Sequence, residues 1–160
     1  LNPLQQTKDS YNQSNKFNEI DLKEFSILFL VINNLDIFRK NVELISEINF
    51  SQKKINNFKK EIIDYLLSEK FFDRKTINIE DFELQSKEII NLVNTNAPVK
   101  IICKNKNESE IVSIFNEIVG EIKKIDLQKK IDSLEDKVSI NLDEAQYSEL
   151  LSLRNQLKGR

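Results

Sequence analysis

The sequence predicts an all-α chain: a multi-helix bundle followed by a long helix and a C-terminal helical hairpin. Three observations carry that prediction. Only two glycines and two prolines occur among 160 residues, whereas chains built of strands and tight turns need many more for their reversals. Apolar residues recur at three- and four-residue spacing over segments too long to be strands. Several of these segments open with Asn or Asp followed three residues later by an acid or an amide, the spacing of a capping box. The length suits one domain, or one domain with a small appendage, and allows a core without disulfides or metals.

Residues 1–18 are rich in Gln, Asn, Ser and Lys and read as a linker, with residues 1–20 taken together as a polar lead-in. Because the chain opens Leu-Asn-Pro and contains no methionine, we expect it to be a piece of a longer protein. Asp21 and Glu24 have capping-box spacing ahead of a helix apolar nearly all round, from Leu22 to Ile32, as the central helix of a bundle is. Asn33-Asn34 suits its end. Short pieces are expected at 35–38 and 42–48. Ser51 is placed to cap a helix whose buried stripe is Ile55, Phe58, Ile62 and Leu66. A further helix is expected over about 80–94, ended by Ala97-Pro98 because the residue before proline is pushed out of the helical region. VKIIC (99–103), with no second strand to pair with, is expected to be loop or turn.

Asn107 with Glu110 opens the longest periodic segment. Ile111, Phe115, Ile118, Ile122 and Ile125 form one stripe, and Leu127, Ile131, Leu134 and Val138 a second. The step from Ile125 to Leu127 turns the apolar face by about 200°, so the two halves must pack against different things. The predicted organisation is therefore a lead-in at 1–20, a helical bundle at 21–125 and a hairpin at 126–160. A turn is expected at Ser139-Ile140-Asn141, then a last helix capped by Asp143 and Gln146. That helix carries more apolar residues than a two-helix hairpin needs for itself. A surplus of this kind marks a partner surface, and the candidate contact residues are Leu142, Tyr147, Leu150, Leu151, Arg154 and Leu157. Arg154 is suited to a bidentate contact with a carboxylate.

Catalytic chemistry is not expected. With no histidine and a single cysteine, the usual zinc ligand sets and Cys–His or Ser–His pairs are unavailable, and no glycine-rich phosphate loop exists. Adjacent carboxylates such as Glu135-Asp136 and Asp143-Glu144 point to different helix faces. No cofactor and no metal is expected. Cys103, set among apolar neighbours, reads as a buried bystander thiol, and one cysteine excludes an internal disulfide and suggests a reducing, cytoplasmic compartment. The net charge of −2 does not favour non-specific nucleic-acid binding. Lys123-Lys124 and Lys129-Lys130 read as an exposed face with Glu121, Asp126 and Asp132 as counter-charges. The longest apolar run, FSILFLVI, is far short of the roughly 20 residues a membrane span needs.

Two stretches carry a family likeness. DLKEFSILFLVINNLDIFRK (21–40) has an acidic start, an apolar helix, a polar break and a short apolar segment. IVSIFNEIVGEIKKIDLQKKIDSLEDKV followed by LDEAQYSELLSLRNQL has a long helix, an acidic turn and a Leu-Leu-x-Leu-Arg run from Leu150 to Arg154. In order and spacing the chain, over roughly 21–157, resembles the C-terminal, helicase-binding domain of bacterial replicative DNA primase. Many members have His-Pro where this chain has Asn33-Asn34. The resemblance implies a helical bundle with a terminal hairpin that docks on the N-terminal domains of the hexameric replicative DNA helicase and brings primase to the replication fork. It also implies that the catalytic and zinc-binding parts of the parent primase precede this segment. Other readings are the architecturally related N-terminal domain of the helicase itself and an unrelated coiled-coil adaptor. A docking domain is expected to be monomeric alone, the other two to self-associate.

Overall fold

The computed structural model describes residues 17–141 and 143–159. Among them are eight α-helices and no strand, so the all-α prediction is met. The helices are α1 (Glu19–Asn33), α2 (Leu35–Arg39), α3 (Val42–Ser46), α4 (Lys53–Leu67), α5 (Leu84–Thr95), α6 (Ala97–Cys103), α7 (Glu108–Ile140) and α8 (Glu144–Lys158), with 3₁₀ turns at Glu69–Phe71 and Ile79–Asp81. The described residues divide into two compact units that meet between Ile118 and Val119 in the sequence.

In the first unit α1 is the central helix. Phe25, Ile27, Leu28, Leu30, Val31 and Ile32 are all buried, and α1 packs on α5 and α6. Its start differs from expectation. Asn18 is the N-cap, and the capping box joins the Asn18 side chain and the Asp21 backbone N–H at 2.8 Å, with the return bond from the Asn18 N–H to Asp21 at 3.1 Å. Asp21 therefore closes the box instead of opening it. Glu24, one turn further on, accepts bonds from Ser51. Ser51 in turn does not cap α4, whose N-cap is Gln52. The Asn33-Asn34 break is held by side chains. Asn33 donates to the Phe29 carbonyl at 2.9 Å and to Asn94 of α5 at 3.1 Å, and Asn34 donates to the Leu30 carbonyl at 2.8 Å. The main chain on either side of the break bonds to the 75–77 segment, through Leu35 N–H to Lys75 and Ile77 N–H to Ile32.

The expected helix at 80–94 is instead a 3₁₀ turn at Ile79–Asp81 followed by α5 from Leu84. The segment 97–103 is also different: Asn96, not Ala97-Pro98, ends α5, and Ala97 begins α6. The physical reason is positional. Proline in the first turn of a helix has no N–H to lose and a φ already suited to it. Asn96 accepts the Val99 N–H at 3.2 Å as an N-cap, so the dipeptide read as a stop is a start. Lys104, with extended backbone at φ −80° and ψ 148°, ends α6, and Asn105 beyond it, at φ 59°, takes a left-handed conformation that asparagine tolerates better than most residues. Cys103 is buried, its thiol 3.9 Å from the Ser26 carbonyl.

The Asn107–Glu110 capping pair forms as expected, with bonds of 2.8 and 2.9 Å. The first stripe of α7 closes this unit: Ile111, Phe115 and Ile118 are buried, and the Phe115 ring lies 4.8 Å from that of Phe38 on α2. Through Ile125–Leu127, where the apolar stripe changes face, α7 runs unbroken. It also runs through Ser139 and Ile140, so the expected turn there is helix and the reversal lies beyond it. In the second unit Asp143 caps α8 by accepting the Ala145 N–H at 3.0 Å, without the Gln146 half of the expected pair among the described residues. No described helix is long and apolar enough to cross a membrane.

Candidate functional site: the C-terminal hairpin

The end of α7 and all of α8 make a hairpin with its own small core. Ile131, Leu134 and Leu150 are buried, and Leu127, Val138, Leu153 and Leu157 pack against them. Stripes at 3–4 residue spacing on both helices make this seam. Across its edge Arg154 of α8 pairs with Glu135 of α7, both half-exposed.

At about 100° per residue, the remaining side chains of α8 sort to two flanks of the Leu150–Leu157 seam. On one flank Tyr147 and Leu151 stand one turn apart, 49% and 42% exposed. On the other, Gln146, Glu149 and Leu153 meet Lys129, Lys130, Ser133 and Lys137 of α7 in an open groove of about 550 Å³, floored by Leu134.

The six sequence candidates thus separate. Leu150 belongs to the hairpin core, Leu157 packs against it, and Arg154 is engaged by Glu135. Tyr147 and Leu151 face outward, and Leu142 lies outside the described residues. Sequence reasoning missed Ile140, 86% exposed at the last turn of α7, because the turn was expected there. Lys123, Lys124, Lys129 and Lys130 are exposed as the sequence reading has them; Lys137 was not singled out there. Among the described residues Lys129, Lys130 and Lys137 make no ion pair, and Asp132 accepts instead from Gln128 at 2.8 Å. Opposite charges three or four apart on a helix can pair, but solvated lysines need not.

The first unit carries a second exposed apolar group, Leu44 and Leu67, which share a groove with Arg39 and Lys40. Arg39 is occupied structurally. Its guanidinium donates to the carbonyls of Leu66, Phe71 and Phe72 at 2.8–3.0 Å and lies over the Phe72 ring. Among the described residues no group of three or more acidic or cysteine side chains is placed to hold a metal ion. Burial pushes the Cys103 thiol up to about 11, against weaker opposing effects of the Ser26 carbonyl contact and Lys106. A thiol so protonated is a poor nucleophile at neutral pH.

No family model, curated protein or solved structure matches the chain.

Proposed function

We propose that this chain is the helicase-docking domain of a bacterial replicative DNA primase, a non-catalytic module that binds the N-terminal domains of the hexameric replicative helicase and recruits primase to the fork. In this reading the priming chemistry belongs to other parts of the parent protein, and this domain takes no cofactor. The observation that carries it is the pair Tyr147 and Leu151. They remain exposed on α8 after Leu150, Leu153 and Leu157 have closed the hairpin, and they lie within the stretch that resembles the family's terminal helix. An exposed tyrosine is suited to anchor a protein interface, where aromatic side chains are enriched, and Leu151 one turn away extends its apolar surface. The first unit, with its own core, supplies the platform, and in the family it is the part that modulates the helicase.

The test is capture of the same organism's purified hexameric helicase by the immobilised chain, as wild type and as Leu151→Asp. Wild type is expected to bind and the variant to bind at least about tenfold more weakly, the scale of losing an interface anchor. A wild-type chain that fails to capture the helicase sinks the proposal.

A further inference from the structure

By helical geometry Glu135 and Asp132 lie on one flank of the Ile131–Leu134 seam, and Lys130 and Lys137 on the other with Asp126 one turn before Lys130, while Lys129 and Asp136, seven residues apart, share the face opposite the seam. Lys130 and Lys137 are seven residues apart, two turns or about 10 Å along the axis. The groove that they border holds a single carboxylate among its described residues, Glu149, and none of its three lysines is ion-paired. Its floor is apolar, with Leu134 buried and Leu153 half-buried.

We propose that this groove receives an acidic, leucine-bearing helix of the partner protein. The argument rests on the docking reading and adds to it a second contact surface, on the flank of α8 opposite Tyr147 and Leu151, and the chemistry of the segment bound there. A helix laid along the groove presents residues seven apart at the spacing of Lys130 and Lys137, so glutamates two turns apart meet the lysines. Leucines between them cover Leu134 and Leu153. A nucleic-acid strand fits less well. The described lining has no aromatic side chain on which a base would stack, and stacking is what holds single strands on proteins. The chain's net charge of −2 also gives no general attraction to phosphates.

The full chain is titrated, with amide NMR as readout, with a short helical peptide of leucine and glutamate at heptad spacing, with its glutamine counterpart, and with a single-stranded oligonucleotide. The acidic peptide is expected to shift Ser133, Lys137 and Glu149, to weaken as salt is raised, and to lose about tenfold in affinity in K130E/K137E. Both lysines are exposed, and circular dichroism confirms that the variant keeps its helices. Shifts confined to Tyr147 and Leu151, equal binding of the glutamine peptide, or an oligonucleotide that takes the groove in preference would overturn the proposal. Helicase capture separates its failure from that of the docking reading. Capture by wild type that K130E/K137E leaves unchanged overturns the groove assignment alone, and no capture by wild type overturns the docking reading.

Discussion

Glu24 of α1, 1% exposed, accepts the backbone N–H of Ser51 at 2.6 Å and the Ser51 hydroxyl at 2.9 Å. A carboxylate inside a helical core is tolerated only where hydrogen bonds replace water. Here it fixes the chain just ahead of α4 to the central helix. Replacing Glu24 by Ala leaves the Ser51 N–H without this acceptor and opens a void, and is expected to cost about 2–4 kcal/mol. Glu24→Gln, which keeps one acceptor, should cost less. Urea unfolding of both variants measures this, and an alanine variant as stable as wild type would show the contact to be dispensable.

Leu150 and Leu151 are neighbours in sequence with opposite assignments, which makes them a paired test of the hairpin. Leu150 is 3% exposed within the Ile131–Leu134 seam and Leu151 is 42% exposed. Leu150→Ala is expected to lose about 2–3 kcal/mol of hairpin stability. Leu151→Ala should change stability by less than about 0.5 kcal/mol yet weaken helicase capture. Hydrogen exchange of the α8 amides reads the first effect and binding the second. Equal loss of protection in both variants would mean that α8 is turned differently on α7.

Helix positions were legible in the sequence where one stripe met one cap. Asn107–Glu110 and the Ile111, Phe115 and Ile118 stripe of α7 needed nothing from elsewhere in the chain. Two kinds of information were not local. The capping box that was expected of Asp21 and Glu24 is made by Asn18 and Asp21, and Glu24 bonds instead to Ser51, 27 residues away. At Ala97-Pro98 the preference of a residue before proline argued for a stop, while proline's fitness for a first turn argued for a start; the Asn96 side chain decided it. For the hairpin, composition revealed that α8 had surplus apolar residues. Which of them turned outward depended on the angular position of α8 against α7, which stripe counting leaves undetermined when Leu150, Leu151, Leu153 and Leu157 span a broad arc.

Arg39 ends α4 from outside. Its three donors reach the Leu66 carbonyl, in the last turn of α4 where a helix leaves carbonyls without intrahelical partners, and the Phe71 and Phe72 carbonyls at the end of the 3₁₀ turn that follows. A planar fork of donors meets three acceptors at once, and a lysine ammonium on a flexible stem does not reproduce it. Arg39→Lys is therefore expected to cost about 1–3 kcal/mol, close to the cost of Arg39→Ala. Thermal unfolding of the two variants provides the comparison, and full rescue by lysine would show that charge alone matters at this position.

Burial of Cys103 makes a prediction about pH. The thiol, 4% exposed, is raised from 9.0 to about 11, chiefly by desolvation. Its folded value lies above its unfolded one, so the protonated thiol imposes no pH-dependent penalty below about 9. From about 9 to about 11 the unfolded chain releases this proton while the folded chain keeps it, and stability falls as pH rises through that window. In Cys103→Ala the decline attributable to this group should disappear, although other groups still titrate. In the native protein at pH 8, alkylation by iodoacetamide should be slower than in urea by at least about tenfold, because both access and thiolate are scarce. Native and denatured rates that agree would mean that the α1–α6 contact opens readily enough to expose the thiol.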